Sequence, residues 1–351
     1  MPATLPASAR PAVSIVVPAR NEEACLGACL RSLVEQSGVP LEIIVVDDHS
    51  TDRTREIALS FSDQQVRVVE AGPLPPDWTG KNNAVTAGSK AARGEWLLFT
   101  DADTRHLPGA LARSLEEAQR HGASLLSYSP EQIVKSFWEK AIMPVIFAEL
   151  AASYRPSQVS DPNSAAAAAN GQYILITREA YDAVGGHAAV ASNLLEDLAL
   201  ARAVKHSGRR IFFRYAADAV QTRMYRSFAQ LREGWTKNLA LLFPAPARLA
   251  ALRTIEFVLI TASVAIAVSA AVRGRWQPAA AAGALAVIMY GLFLKRIRRA
   301  HFAWDANLLA VFGLPLFSYL LLRSKSAHRQ GTVAWKGRKY SDERRLLATG
   351  H

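Results

Sequence analysis

The stretch Trp96-Leu97-Leu98-Phe99-Thr100-Asp101-Ala102-Asp103-Thr104 decides how this chain folds. An apolar run of strand length stops on two carboxylates separated by one residue. A strand buried on both faces, as in a parallel sheet, reads as such a continuous hydrophobic run. Asp101 and Asp103 are therefore expected at the carboxyl end of that strand, the edge where open α/β sheets bind ligands. In extended backbone, residues i and i+2 point the same way, so both carboxylates can face one point. Paired hard oxygens suit Mg2+ or Mn2+ that already carries a ligand's phosphates. The alternative is a strand-end turn with a capping Asp, since Thr104 and Pro108 resemble a helix start.

Upstream, Val13 to Val17 is a β-branched run that ends at Pro18. Ala19-Arg20-Asn21-Glu22-Glu23 follows, and the acids suit the first turn of a helix carrying Leu26, Leu30 and Leu33 on one face. A second buried strand, Leu41 to Val46, ends on Asp47-Asp48-His49-Ser50-Thr51-Asp52. Strand, helix, strand makes a βαβ unit and hence a parallel sheet. One of the two aspartates could simply cap a helix beginning at Thr51, but two adjacent carboxylates at a sheet edge call for something to bind. Val66 to Val69 is a third strand. No Gly-x-Gly-x-x-Gly follows the first strand, which argues against an NAD-type site. Between these strands Pro73 to Ala84 reads as a loop, with Lys81 just before a helix over Ala84 to Ala92. There the lysine either meets a phosphate with backbone N–H groups or is solvated.

The chain has 351 residues and a net charge of +11, enough for one large domain or two ordinary ones. Its basic residues crowd the flanks of apolar segments rather than interleaving with aromatics, so an anionic membrane surface is the expected partner and nucleic acid is not. The only cysteines, Cys25 and Cys29, lie four apart on the first helix without a second pair or a His to complete a zinc site. They read as apolar fillers in a reducing compartment. No basic region precedes a long apolar core at the N-terminus, so no signal peptide is expected.

The order VPARNEE (17–23), VVDDHSTDRT (45–54), WTGKNNAVTAG (78–88) and LLFTDADT (97–104) resembles the family-2 glycosyltransferases, which have the GT-A fold. The resemblance implies a mixed, mostly parallel sheet flanked by helices and a nucleoside-diphosphate sugar as donor, most simply a UDP-hexose. It implies that Asp48 with Asp47 holds the base, that Pro18, Arg20, Glu22 and Lys81 line the nucleotide pocket, and that Asp101 and Asp103 meet the diphosphate through a divalent ion. Asn193-Leu194-Leu195-Glu196-Asp197 resembles the family's Glu-Asp motif, whose second carboxylate deprotonates the acceptor. An inverting displacement needs such a base within reach of the attacking hydroxyl; otherwise these acids merely suit a helix N-terminus. Asn170-Gly171-Gln172, before a strand over Tyr173 to Thr177, belongs to the acceptor side.

Processive members carry Gln-x-x-Arg-Trp. Here Arg223 stands two residues after Gln221 and Tyr225 replaces the Trp, which speaks against a polysaccharide synthase. The Arg223-Met224-Tyr225 and Gly234-Trp235-Thr236-Lys237-Asn238 pattern resembles members that glycosylate carotenoids or hopanoid-like terpenoids. Arg223 and Lys237 either stabilise the departing diphosphate or face lipid headgroups, while Tyr225 and Trp235 fall on the acceptor side.

Residues 1–245 are expected to form the catalytic domain and 246–351 the membrane part. Leu252 to Val272 and Pro278 to Leu294 have the length a bilayer demands and read as a helical hairpin. Ala303 to Leu322 is a third stretch, interrupted by Gly313 and Pro315. Basic clusters flank it on both sides, so it is either re-entrant, or broken near Gly313, or its tail lies outside despite its charge. Gly331 to Tyr340 resembles a recurring ending of the lipid-acceptor enzymes. Phe137 to Tyr154 is either an interfacial helix or a core helix. The expectation is a metal-dependent inverting enzyme of a bacterial-type cytoplasmic membrane, with its catalytic domain in the cytoplasm. A polyprenyl-phosphate glycosyltransferase and a non-catalytic sugar-nucleotide-binding protein are the alternatives.

Overall fold

The computed structural model describes residues 11–340, so the expectation about the extreme N-terminus lies outside them in part. The chain runs β1 (Val13–Ala19), α1 (Leu26–Val34), β2 (Leu41–Asp47), α2 (Thr54–Leu59), β3 (Val66–Glu70), α3 (Gly80–Ala91), β4 (Trp96–Phe99), β5 (Thr104–His106), α4 (Ala110–Arg120), β6 (Leu125–Ser129) and β7 (Glu131–Gln132). After α5 (Phe137–Ser153) come α6 (Pro156–Ser160), β8 (Ile174–Thr177), α7 (Arg178–Ala183), α8 (Gly186–Ala189), α9 (Glu196–His206), β9 (Ile211–Tyr215) and β10 (Val220–Thr222). The chain ends with α10 (Phe228–Leu242), α11 (Pro246–Val272), α12 (Trp276–Ile297), α13 (Trp304–Leu309), α14 (Gly313–Arg329), β11 (Val333–Trp335) and β12 (Arg338–Tyr340).

Two compact units result. The first comprises the described residues of Met1–Ile133 and Tyr154–Met224, the second those of Val134–Ser153 and Tyr225–His351. The division therefore does not fall at residue 245: α5 and α10 belong with the apolar helices.

In the first unit a seven-stranded sheet has the order β3-β2-β1-β4-β8-β6-β9. Only β8 runs against its neighbours β4 and β6; the other pairings are parallel. This is the mixed, mostly parallel sheet expected. The apolar runs of β1 and β2 are fully buried, as strands covered on both faces must be. Chain order reverses at β1, between β2 and β4, the kind of switch point at which open α/β sheets bind ligands beyond the carboxyl ends of their strands. A small second sheet, β5-β10-β7, adjoins the turn after β4.

In the second unit α11 and α12 form the expected hairpin, closed through Gly274 in the left-handed region (φ 69°). The helices α5, α10, α13 and α14 pack together, and Gly313 permits the closest approach. A Cβ there would lie 2.0 Å from the carbonyl oxygen of Ala141 in α5. α5 is buried along most of its length, with Phe137 and Trp138 exposed at its start. The third apolar stretch is broken by a single 3-10 turn, Ala310–Phe312, just before Gly313. Pro246–Val272, Trp276–Ala300 and Trp304–Arg329 are each long and apolar enough to cross a membrane.

Candidate active site

Lys81 lies inside α3, not before it. The helix opens at Gly80, four residues earlier than its apolar periodicity suggested, because Thr79 caps it by accepting the Asn82 N–H (3.1 Å). A cation in a first helical turn opposes the macrodipole and needs anions nearby. Lys81 Nζ has two, at 2.8 Å each: Asp101 Oδ1 after β4 and Glu196 Oε1 at the start of α9. Burial alone would depress this ammonium, but the two carboxylates outweigh it and hold its pKa well above the ordinary value.

Glu196 and Asp197 fill the first turn of α9. Asp197 Oδ2 accepts the Gly171 N–H at 3.0 Å, and Oδ1 accepts the Leu198 N–H at 2.8 Å. Burial and the adjacent Glu196 charge raise Asp197 to about 6, against the lowering effect of Lys81 and these two N–H donors. Gly171 is needed for its smallness. A Cβ there would lie 3.0 Å from Lys81 Nζ, 3.3 Å from Glu196 Oε1 and 3.5 Å from Asp197 Oδ2. Four of the sequence-derived residues, Lys81, Asp101, Glu196 and Asp197, thus meet around Gly171.

Asp101 and Asp103 are not on extended backbone. β4 ends at Phe99, and Thr104 closes a turn by donating its N–H (3.3 Å) and hydroxyl (2.8 Å) to the Asp101 carbonyl. The same-face argument for these two aspartates therefore fails, and Thr104 opens β5 rather than a helix. The helix starts at Ala110, after Gly109. No group of three or more His, Cys, Asp or Glu side chains converges to hold a metal among the described residues. Two half-buried carboxylates on one turn fit an ion of the Mg2+ or Mn2+ type only when phosphate oxygens complete its shell.

The remaining donor-side residues cluster at the ends of β1 and β2. Asp47 and Asp48 are both 4% exposed. Asp47 accepts the Ser50 N–H at 3.2 Å, and the Asp48 carbonyl takes Arg20 Nη1 at 2.6 Å. Helix α2 begins at Thr54 rather than Thr51, and the loop before it is laced to the loop after β1. Glu22 N–H donates to Thr54 Oγ1 (2.7 Å) and Thr51 N–H to Asn21 Oδ1 (2.9 Å). Pro18 is the penultimate residue of β1, paired with Val46 of β2. Cys29 is buried, its Sγ 3.8 Å from the Asp101 carbonyl oxygen, and burial pushes its thiol up to about 12. Cys25 precedes the helix as its N-cap, half-buried, with Sγ 3.2 Å from Glu22 Oε2.

Arg223 follows β10, whose Thr222 hydroxyl donates to the Asp103 carbonyl at 3.3 Å. Tyr225, Trp235 and Lys237 belong to the second unit. Tyr225 and Trp235 are 4% and 2% exposed. Their ring centroids lie 6.0 Å apart, the Trp235 ring also meets Phe147 edge-on (6.2 Å), and the Tyr225 ring fills the space that a Cβ at Gly234 would need. Lys237 Nζ lies 5.3 Å above the Trp335 ring of the C-terminal hairpin.

Comparison with known proteins fits this arrangement. Residues 14–184 match the family model described as glycosyl transferase family 2. The chain is 31% identical over 339 residues to 4,4'-diaponeurosporenoate glycosyltransferase of Staphylococcus aureus strain USA300, covering 94% of this chain and 88% of that one. The chain belongs to glycosyl transferase family 2. The strain MRSA252 enzyme matches over the same lengths at the same identity. Among solved structures, mannosyltransferase PcManGT from Pyrobaculum calidifontis, in complex with GDP-Man and Mn2+, superposes with a TM-score of 0.50 at 18% identity, covering 91% of this chain and 87% of that one. The likeness establishes the GT-A fold.

Several residues of this glycosyltransferase that shape the site escaped the motif reading. Asn82 Nδ2 donates to the carbonyls of Val190 (2.9 Å), Ala191 (2.8 Å) and Asn193 (3.1 Å), tying α3 to the loop before Glu196. Thr100 Oγ1 donates to the Gln172 carbonyl at 2.8 Å, which places the Gly171 segment beside the end of β4. His187, 2% exposed and lowered by burial to about 4, is neutral and accepts or donates to Tyr181 OH at 3.0 Å. The usable signal was Thr79 three residues before Asn82, a cap in front of a polar first turn.

Proposed function

We propose that this enzyme is an inverting, metal-dependent glycosyltransferase that moves a hexose from a nucleoside-diphosphate sugar, a UDP-hexose in the simplest case, to a hydroxyl or carboxyl of a carotenoid- or terpenoid-like lipid at the cytoplasmic face of a bacterial-type inner membrane. The observation that carries it is the continuous array Asp101–Lys81–Glu196 beside Asp197, a carboxylate held by the Gly171 N–H at 3.0 Å. The curated relative's carotenoid acid acceptor and the apolar helices of the second unit support a lipid acceptor. The GDP-Man and Mn2+ of the mannosyltransferase support the donor class and the metal.

In this reading Asp47, Asp48, Arg20, Pro18 and Glu22 form the nucleoside end of the pocket. Asp101 and Asp103 hold a divalent ion, which when bound neutralises the diphosphate. Lys81 and Arg223 add positive charge beside it. The acceptor oxygen attacks the anomeric carbon and loses its proton to Asp197. The bond from that carbon to the phosphate oxygen breaks, and the nucleoside diphosphate departs with the electron pair. A carboxylate acceptor arrives already deprotonated. A base near neutrality suits a hydroxyl, and Asp197 at about 6 meets that condition.

The test uses membranes containing the protein, a panel of labelled sugar nucleotides, and mass analysis of the labelled lipid. Asp197→Asn should lower transfer to a hydroxyl acceptor by about 10²–10⁴-fold while leaving UDP-sugar binding intact. Near-normal turnover by that variant overturns the assignment of the base. No sugar-nucleotide binding by the parent protein with Mg2+ or Mn2+ overturns the whole reading.

A further inference from the structure

Basic clusters flank the third apolar stretch, Lys295–Arg299 before it and Arg323, Lys325, Arg329, Lys336, Arg338 and Lys339 after it. A single crossing would place them on opposite sides of the bilayer, against the positive-inside tendency. Contacts within the helical unit remove the conflict.

The open end of the α11–α12 hairpin is marked by charge. Arg253 and Glu256 near the start of α11 meet Arg296 near the end of α12 and Glu149 of α5. Arg296 Nη2 lies 2.6 Å from Glu256 Oε2, Arg253 Nε 2.9 Å from Glu149 Oε1, and Arg296 also pairs with Glu149. Such a paired, neutral group belongs at the boundary of the apolar layer. From there the chain does not travel along the hairpin to its far turn. Phe302 packs on Phe147, Asp305 pairs with Lys140 (2.6 Å), the Leu308 carbonyl takes Tyr290 OH (3.0 Å), and Phe312 returns to Phe137.

α14 then runs back outward. Ser318 Oγ donates to the Ala250 carbonyl (3.0 Å), before the charged group on α11. Ser324 Oγ donates to the Thr236 carbonyl (2.6 Å), His328 Nε2 lies 2.8 Å from the Lys237 carbonyl, and Lys336 N–H reaches Glu233. Ser324 Oγ also accepts the Ala240 N–H (2.9 Å), so residues 324, 328 and 336 meet α10 at 236 and 240, at 237 and at 233. The buried share agrees: 17% of the apolar window in each of the first two stretches, but 56% in the third. The exposed Trp304, Tyr319 and Trp138 of this part are of the types enriched at the membrane–water interface.

We propose that only α11 and α12 cross the bilayer, and that α13 and α14 re-enter and leave the same leaflet, so that residues 298–303 and 330–340 share the cytoplasmic side. The inference is independent of the transfer chemistry, because its test reads only sidedness.

In a Cys25→Ser background, single cysteines replace exposed Arg275, Arg299 and Gln330. Sealed inside-out vesicles are treated with a membrane-impermeant maleimide. Arg299→Cys and Gln330→Cys should label at once, and Arg275→Cys only after detergent. Labelling of Gln330→Cys only after detergent, alongside Arg275→Cys, would show a third crossing and overturn the proposal. So would immediate labelling of all three, which would mean that the hairpin does not cross. A reporter fused after residue 351 gives a second measurement: fluorescence of a cytoplasmic reporter supports the proposal, and activity of a periplasmic phosphatase refutes it.

Discussion

Asp197 has to be ionised to accept a proton, and its surroundings delay that. Burial and the Glu196 charge move it from 3.8 to about 6. The ionised share therefore rises with pH through that value. Transfer to a hydroxyl acceptor should climb by about tenfold per pH unit below about pH 6 and level off above it; a rate profile from pH 4.5 to 8 at saturating donor checks this, with a flat Asp197→Asn profile as the control. The linkage has the opposite sign for stability. A carboxyl raised in the fold favours folding at low pH, and this contribution is lost as pH rises through about 6. The acids themselves were legible because their motif spacings are local. The geometry of Asp101 and Asp103 was not, because the turn closed by Thr104 replaces the extended backbone that an apolar run leads one to continue.

Elements, unlike residues, are fixed by who packs on whom. The strands β1, β2, β4 and β8 were read almost to their ends because burial on both faces leaves an unbroken apolar signature, whereas β6 and the short β5, β7 and β10 were not read. Helix starts were placed less well. α3 begins four residues early because a cap, not periodicity, sets its first turn. Asn82→Ala would leave the carbonyls of Val190, Ala191 and Asn193 without this donor, at a cost of about 1–3 kcal/mol. Thermal unfolding of the variant should show it, together with weaker nucleotide binding as Glu196 loses its anchored loop. Among the apolar helices, Glu149→Gln would leave Arg253 and Arg296 with one full anionic partner fewer. Breaking a partly buried pair of this kind costs up to about 3–5 kcal/mol, and the detergent-solubilised variant should melt earlier than the parent protein.

For the molecule as a whole, composition suggests a membrane, and the structure shows which apolar helix surfaces are left exposed. The exposed apolar surfaces of α11 and α12, including Ile255, Val258, Leu259, Ile266, Val287 and Leu292, are surfaces that water would not tolerate. The protein should stay in the membrane pellet after alkaline carbonate washing and leave it only with detergent; release by carbonate would contradict integral anchoring. What the sequence concealed was the partnership of α5. Its pattern fits equally a helix on lipid and a helix in a core, because periodicity reports an apolar surface but not its neighbour.

That partnership has a temporal consequence during synthesis. The two stretches that build the sheet unit have both left the ribosome by Met224, whereas α5, made between them, has its partners α10 to α14 encoded entirely downstream. The nascent sheet can close while α5 is still an apolar helix in waiting, and the helical unit is finished only when the last turns of α14 emerge.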